Sequence, residues 1–133
     1  GLVNFFIRHP KRHLIVPNPD VYFPYRNKTI RIGAGGTGVF ISMVTDAFGV
    51  KIKPIYLGKP YAPVFHHNHL AMEKRYGRRI KHSRVIMLGD MLTGDIAGAH
   101  NYGYRSALFL TGVSTVDHVR MSDIKPDFIF EGF

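Results

Sequence analysis

The chain from about Pro54 onward alternates short apolar runs with helix-length segments. Three of the runs, at residues 85–88, 107–110 and 128–130, contain no polar position, which is typical of strands covered on both faces. Helical segments between such strands build βα units. The pattern therefore predicts three consecutive core strands of a parallel sheet in a doubly wound α/β fold.

Two helices are predicted beside these strands. One runs from about residue 63 to residue 76 and places Phe65, Met72 and Tyr76 on one face. Gly77 follows it and can adopt the left-handed conformation that commonly ends a helix. Farther along the chain, Ser114 or Thr115 is expected to cap another short helix.

The first fifty residues show a different pattern. Residues 13–16 predict a strand, and the turn-rich segment 17–20 ends it. The small residues 33–38 lead into a predicted helix at 39–48, and since they include no Walker lysine we assign them a helix-start and close-packing role. The useful division of the chain lies near residues 50–54.

The chain has 133 residues, a formal net charge of +9 and a pI near 10.0. Its basic residues cluster at 8–12 and 74–81, where Tyr76 is the one aromatic residue of the second cluster. Stacking on single-stranded nucleic acid needs more aromatic side chains than this. We therefore interpret the clusters as solvated basic faces and expect no nucleic-acid partner.

The composition excludes several other kinds of site. Without cysteine, the chain has no disulfide, no thiolate zinc site and no cysteine nucleophile. It has no apolar run near the roughly 18 to 20 residues that cross a bilayer, so we expect no membrane partner and, by default, a cytoplasmic location. The set formed by His66, His67 and His69 contains no carboxylate or cysteine, and we interpret it as a wet helix face on which His69 packs beside Phe65 and Met72.

The most informative stretch is the one in which an apolar strand ends in Gly89-Asp90 and a second carboxylate, Asp95, follows five residues later. Ligands of open α/β sheets bind outside the carboxyl ends of the strands, and Mg²⁺ prefers carboxylate oxygens together with waters and phosphate. Asp90 is predicted to be the direct ligand. Asp95 is expected to hold a metal-bound water or to orient a neighbouring lysine. An aspartate that merely caps a helix is the alternative interpretation of either residue.

A cation precedes this stretch in the segment Gly58-Lys59-Pro60. Glycine lets the backbone turn there, proline suits the first turn of the coming helix, and lysine stands at the junction. Lys59 lies 31 residues before Asp90, with one helix and one strand between them, so both side chains should reach the same edge of the sheet. A solvated lysine in a surface turn is the alternative.

Five segments, taken in order, resemble the NagD and nitrophenylphosphatase-like branch of the haloacid-dehalogenase (HAD) superfamily. The resemblance covers nearly the whole chain and depends on the order and spacing of the segments. They are Asn18-Pro19-Asp20, Gly33-Ala34-Gly35, Gly58-Lys59-Pro60 with Phe65, Gly89-Asp90 with Asp95-Ile96, Gly98-Ala99 and Gly103, and Leu110-Thr111-Gly112-Val113.

The resemblance implies that residues 53–133 form the carboxy-terminal half of a HAD-like core, which is a Rossmannoid parallel sheet. Residues 1–52 would form the trailing part of a C2-type α/β cap. The resemblance also implies a magnesium-dependent phosphomonoester hydrolase that acts on a small phosphorylated metabolite. Lys59 matches the lysine that balances charge on the nucleophile and the transferring phosphate, Asp90 the aspartate that binds Mg²⁺, and Asp95 its acidic companion. Gly58 and Gly89 would support the phosphate site.

In the cap, Asn18 and Asp20 match the motif beside the active-site entrance, and Val21, Tyr22 and Phe23 occupy the stretch that helps to choose the substrate in relatives. Pro17 stands where relatives often have threonine. Thr93-Gly94 replaces a more usual polar-threonine pair. These departures affect the expected substrate and leave the expected fold unchanged.

Family enzymes attack phosphorus with an aspartate of an upstream Asp-x-Asp motif, and this chain contains no Asp-x-Asp. We therefore expect the chain to be a fragment that is inactive alone. Such a fragment would expose an apolar sheet edge beside the strand that ends at Asp90. We expect this edge to be covered by the amino-terminal half of the same protein or by self-association, for example in a homodimer. The alternative function is a non-catalytic basic binding module that retains the HAD-like fold.

Overall fold

The computed structural model describes residues 1–132 and divides the chain into two compact units, Gly1–Gly58 and a second unit that begins at Lys59. The division falls later than the expected boundary after residue 52. The reason is that strand Pro54–Tyr56 pairs in parallel with strand Leu14–Val16 and so belongs to the first unit. The assignment of the units to a cap and a core stays a prediction.

The first unit packs two helices against short strands. Its buried residues are Phe6, Ile41 and Ile52, with Val3, Leu14 and Val50 packed around them. Its elements, in chain order, are α1 (Leu2–Arg8), β1 (Leu14–Val16), β2 (Tyr22–Pro24), β3 (Ile30–Ile32), α2 (Ala34–Ala47) and β4 (Pro54–Tyr56). Strand β1 pairs with β4, and β2 forms an antiparallel pair with β3.

Helix α2 begins earlier than the sequence pattern predicts, at Ala34 instead of residue 39. The small residues therefore lie inside the helix, where a side chain on Gly35 would collide with the carbonyl group of Pro19. A side chain on Gly38 would press on Val16. The close-packing role expected of this segment is confirmed by these contacts.

The second unit contains the predicted parallel sheet. Its elements are α3 (Ala62–Tyr76), a 3₁₀ turn (His82–Arg84), β5 (Ile86–Gly89), a π-helical turn (Leu92–Ile96), α4 (Ala97–Tyr102), β6 (Arg105–Phe109), α5 (Val116–Met121) and β7 (Phe128–Phe130). The strands are ordered β5-β6-β7 and all pair in parallel, with Gly89 opposite Leu108. The α/β fold class and the three consecutive strands are confirmed.

Two groups of side chains form the core of this unit. One contains Leu92, Ile96, Leu108 and Val119, and the other contains Phe65, Ala99 and Tyr104. The prediction that Tyr76 shares the packed face of α3 with Phe65 is wrong, because Tyr76 is 63% exposed in the last turn of that helix.

The expected helix ends are present. Gly77 follows α3 in the left-handed conformation, with φ of 62°. Thr115 caps α5 by accepting the backbone N–H of His118, and the His118 side chain accepts the Thr115 N–H in return. Of the two capping candidates, Thr115 is therefore the cap. Within residues 1–132, no helix combines the length and the apolar character needed to cross a bilayer.

Candidate active site

Asp95 organises the turn that follows β5. Its side chain is buried, and Oδ2 accepts the backbone N–H groups of Asp90 and Met91, each at 3.1 Å. The chain passes through the π-helical turn so that Asp95 reaches back to the end of the strand. Because N–H groups that are partly shielded from water need acceptors, this carboxylate fixes the backbone path at Asp90.

Gly89 is required by the same turn. The carboxyl group of Asp95 lies so close to Gly89 that a Cβ atom there would collide with it. The Gly-Asp pair at the end of β5 is therefore part of one arrangement in which Gly89 leaves room for Asp95.

Lys59 joins this arrangement from the start of the second unit. Its ammonium group donates a hydrogen bond to Asp95 Oδ1 and forms an ion pair with that carboxylate. The Lys59 side chain is 47% exposed, whereas the Asp95 side chain is 3% exposed. The ammonium group is thus held by a buried carboxylate on one side and reaches solvent on the other, where an anion can approach it.

Asp90 is half-buried and is held by the segment that follows the neighbouring strand β6. Its Oδ2 accepts the Val113 N–H at 3.0 Å, and its backbone carbonyl accepts the Ser114 N–H at 2.9 Å. In the described part of the chain, the other carboxylate oxygen, Oδ1, has no such donor.

The donor set fits Mg²⁺ at Asp90 better than at Asp95. Both oxygens of Asp95 are already engaged, one by Lys59 and one by two backbone N–H groups, whereas Asp90 retains Oδ1. Mg²⁺ sites often use one or two carboxylates with waters and phosphate, so one available carboxylate is a suitable contribution. No group of three or more histidine, aspartate or glutamate side chains suited to a metal ion occurs among residues 1–132.

The remaining predicted site residues lie in the first unit. Asn18 Oδ1 accepts the Asp20 N–H at 3.0 Å, which fixes the turn after β1. Tyr22 and Phe23 stand exposed on β2. Gly58 is pressed against the Pro17 carbonyl group so closely that a side chain would not fit without movement. The substrate and phosphate roles expected of these residues stay predictions.

Two of the three histidines of α3, His66 and His69, belong to a hydrogen-bonded aromatic cluster. His66 and His67 are exposed as expected, whereas His69 is buried and its Nδ1 is 2.8 Å from the Tyr104 hydroxyl group. Burial is the main cause that raises the pKa of Tyr104 to about 12, with Tyr102 and Glu73 adding to it. Tyr104 therefore stays protonated at neutral pH and can share its hydrogen bond with His69.

The sequence interpretation missed the contacts that Gly112, Val113 and Ser114 make with the turn around Asp90. These contacts could have been expected from the pairing of β5 with β6. Chain segments that leave neighbouring parallel strands emerge at the same end of the sheet. In the sequence, the family resemblance indicates Gly112 and Val113, and the helix-capping pattern indicates Ser114.

Comparison with known proteins identifies the family to which this chain belongs. The family model described as HAD-hydrolase-like matches residues 56–133. An acid sugar phosphatase of Staphylococcus epidermidis is 30% identical over 119 residues, which cover 88% of this chain and 40% of that protein. The chain therefore spans about two fifths of the length of this curated relative.

Solved structures show the same relationship. A 4-nitrophenylphosphatase from Thermotoga maritima is 29% identical, with a TM-score of 0.74, over 95% of this chain and 44% of that protein. A hypothetical protein from Pyrococcus horikoshii is 26% identical, with a TM-score of 0.76, over 98% of this chain and 45% of that protein. The chain belongs to the HAD-like hydrolase family, and the resemblance found in its sequence is confirmed.

Proposed function

We propose that the protein carrying this chain is a magnesium-dependent phosphomonoester hydrolase that acts on a small phosphorylated metabolite. The observation that carries the proposal is the joint placement of Lys59, Asp90 and Asp95 at the carboxyl end of a parallel strand. Relatives named as an acid sugar phosphatase and a 4-nitrophenylphosphatase support the same chemistry.

Each of the three side chains has a distinct part in this proposal. The Lys59 ammonium group offsets negative charge on the phosphoryl group as it transfers. Asp95 orients that ammonium group through their ion pair. Asp90 Oδ1 would hold Mg²⁺, which supplies electrostatic stabilisation of the phosphoryl oxygens when it is bound.

The nucleophile is not among these residues. The chain contains no Asp-x-Asp sequence, and its cluster of charged groups stabilises charge without offering a group that attacks phosphorus. We therefore propose that the chain by itself does not hydrolyse phosphomonoesters. Substrate choice is assigned to the exposed segment with Tyr22 and Phe23 and to the adjacent Asn18 and Asp20.

The test is steady-state hydrolysis of an aryl phosphate by the protein in its full encoded length, across a Mg²⁺ titration. Asp90→Asn should raise the Mg²⁺ concentration needed for half-maximal rate. Lys59→Ala should lower kcat by about 100-fold, the effect of removing one preorganised electrostatic group. Asp123→Asn and Lys81→Ala, which change exposed residues, are the matched controls.

Two results would count against the proposal in different ways. Absence of Mg²⁺-dependent hydrolysis with every phosphomonoester tried would reject the function itself. Hydrolysis that persists unchanged in Asp90→Asn or Lys59→Ala would reject the role assigned to that residue. Hydrolysis by the isolated chain would reject the proposal that this chain is inactive by itself.

A further inference from the structure

The segment from Thr111 to Ser114, which follows β6 and which we call the Gly112 loop, contacts the turn around Asp90 at three points. The Val113 N–H donates to Asp90 Oδ2 at 3.0 Å, and the Ser114 N–H donates to the Asp90 carbonyl oxygen at 2.9 Å. The Ser114 hydroxyl oxygen accepts the Leu92 N–H at 3.0 Å. The loop therefore binds both the side chain and the backbone of the Asp90 turn.

Gly112 adds a steric limit to these hydrogen bonds. A Cβ atom at this position would collide with Asp90 Oδ2 and crowd the rest of the carboxyl group. The carboxylate consequently lies directly against the loop backbone, a position that only a residue without a side chain leaves open.

Ser114 differs from an ordinary helix-flanking serine. It is 4% exposed, and its hydroxyl group serves the backbone of the Asp90 turn, whereas Thr115 caps α5. A buried hydroxyl group in this position stabilises one path of the turn, because its loss would leave the Leu92 N–H without an acceptor.

We propose that the Gly112 loop orients the Asp90 carboxylate toward the cation and that Gly112 and Ser114 are positioning residues. The loop holds Oδ2 on its own backbone and leaves Oδ1 as the oxygen presented to Mg²⁺. This inference rests on the proposed function, because it takes Asp90 to be the metal-binding carboxylate. Partners that orient a metal ligand typically change metal affinity by about 10- to 100-fold when they are removed.

The experiment compares matched variants of the protein in its full encoded length. Gly112→Ala is paired with Gly132→Ala, where an added Cβ would meet only Thr111 Cγ2 at 3.9 Å. Ser114→Ala is paired with Ser122→Ala, which also removes a hydroxyl acceptor of a backbone N–H, that of Ile124 at 3.0 Å. Two readouts are taken for each: the rise in Tm between EDTA and Mg²⁺, and the Mg²⁺ concentration for half-maximal hydrolysis.

Gly112→Ala and Ser114→Ala should each raise the half-maximal Mg²⁺ concentration by about tenfold or more and reduce the Mg²⁺-induced rise in Tm. Gly132→Ala and Ser122→Ala should stay within about twofold of the wild type. The Tm in EDTA reports folding separately, so a variant that only loosens the fold would lower that value and keep its Mg²⁺ response.

The outcomes separate this inference from the function on which it rests. If the wild type responds to Mg²⁺ and both loop variants respond like their controls, the positioning role is wrong and the proposed function stands. If the wild type shows neither hydrolysis nor a Mg²⁺-induced rise in Tm, the proposed function fails and the inference falls with it.

Discussion

Asp95 holds both the Lys59 side chain and the backbone of the turn in the candidate site. Its carboxylate is almost fully buried, yet it accepts two backbone N–H groups and the Lys59 ammonium group. Burial of a charge is unfavourable unless partners replace the lost water, and these three donors do so. The residue therefore links the stability of the turn to the placement of the lysine.

Removal of this carboxylate should destabilise the chain. Asp95→Ala would leave the partly buried N–H groups of Asp90 and Met91 without their acceptor, and an unsatisfied donor costs up to about 1–3 kcal/mol when it is fully buried. We expect the free energy of unfolding, measured in urea, to fall by about 2–3 kcal/mol. Asp117→Ala removes an exposed ion pair with Arg120 and should change it by no more than about 0.5 kcal/mol. Equal effects of the two variants would contradict the structural role of Asp95.

Asp127 gives the fold a dependence on pH. Its carboxylate accepts the Ser106 N–H at 2.8 Å, and this bond is the main cause that lowers the pKa of Asp127. Partial burial opposes the shift, while the Ser106 hydroxyl group, Arg105 and His100 add to it. A carboxyl group with a lowered pKa in the folded state stabilises the fold above its unfolded pKa of about 3.9 and loses that effect as pH falls through the folded value.

Asp127→Asn should therefore be less stable than the wild type at pH 7, and the difference should shrink as pH falls below about 4. The Asp127 side chain is 35% exposed, so solvent screening should keep the difference at pH 7 to about 1 kcal/mol or less. Urea unfolding at a series of pH values measures it. A difference that stays constant from pH 7 to pH 3 would show that the charge of Asp127 is not the cause.

At the scale of elements, helix α4 packs on α3 through a glycine. A methyl group on Gly98 would collide with the ring of Phe65, which is itself buried, and would lie 3.0 Å from Pro60 Cα. The close approach of the two helices places α3, and Lys59 just before it, beside the turn that carries Asp95.

Gly98→Ala should therefore destabilise the chain even though alanine is the better helix former. Helix propensity alone would favour the variant by about 1 kcal/mol, whereas overpacking typically costs about 1–3 kcal/mol. We expect the free energy of unfolding to fall by about 1–2 kcal/mol, because buried Phe65 has little room to move. A rise instead would mean that the helices can separate at little cost.

The elements that the sequence predicts well are those whose burial leaves an apolar pattern. Strands β5, β6 and β7 appear within two residues of the uninterrupted apolar runs. The helical spacing of apolar residues predicts α3, and Gly77 predicts where that helix ends. The hairpin of β2 and β3 was not predicted, because all six of its residues are exposed and give no contrast between faces.

The loop of that hairpin shows why local turn chemistry did not reveal it. Asn27 and Lys28 have φ of 57° and 58°. Two consecutive turn residues with positive φ are usually recognised in a sequence as Asn-Gly or Asp-Gly. Because lysine is the second residue here, the sequence does not indicate this turn. The candidate site divides in the same way: the chain order of Lys59, Asp90 and Asp95 indicates them, whereas the contacts of the Gly112 loop arise only when two strands lie side by side.

At the scale of the whole molecule, the sheet has an unpaired apolar edge. Within residues 1–132, β5 pairs with β6 on one side and with no strand on the other. Ile86 is 45% exposed and Leu88 is 58% exposed on this strand. An edge of this kind offers free N–H and carbonyl groups beside apolar side chains, which is a template for pairing with another chain.

The isolated chain should consequently associate in a concentration-dependent manner, and a charge placed on this edge should reduce the association. Leu88→Lys introduces the residue type that proteins use to protect sheet edges. Met121→Lys is the control, since Met121 is 80% exposed and lies in helix α5, not in a strand. Sedimentation velocity over a range of concentrations should show a shift toward monomer for Leu88→Lys only. If Ile129→Lys, on the opposite edge strand β7, disperses the complex and Leu88→Lys does not, association runs over β7, and the edge beside Asp90 is not the surface that pairs.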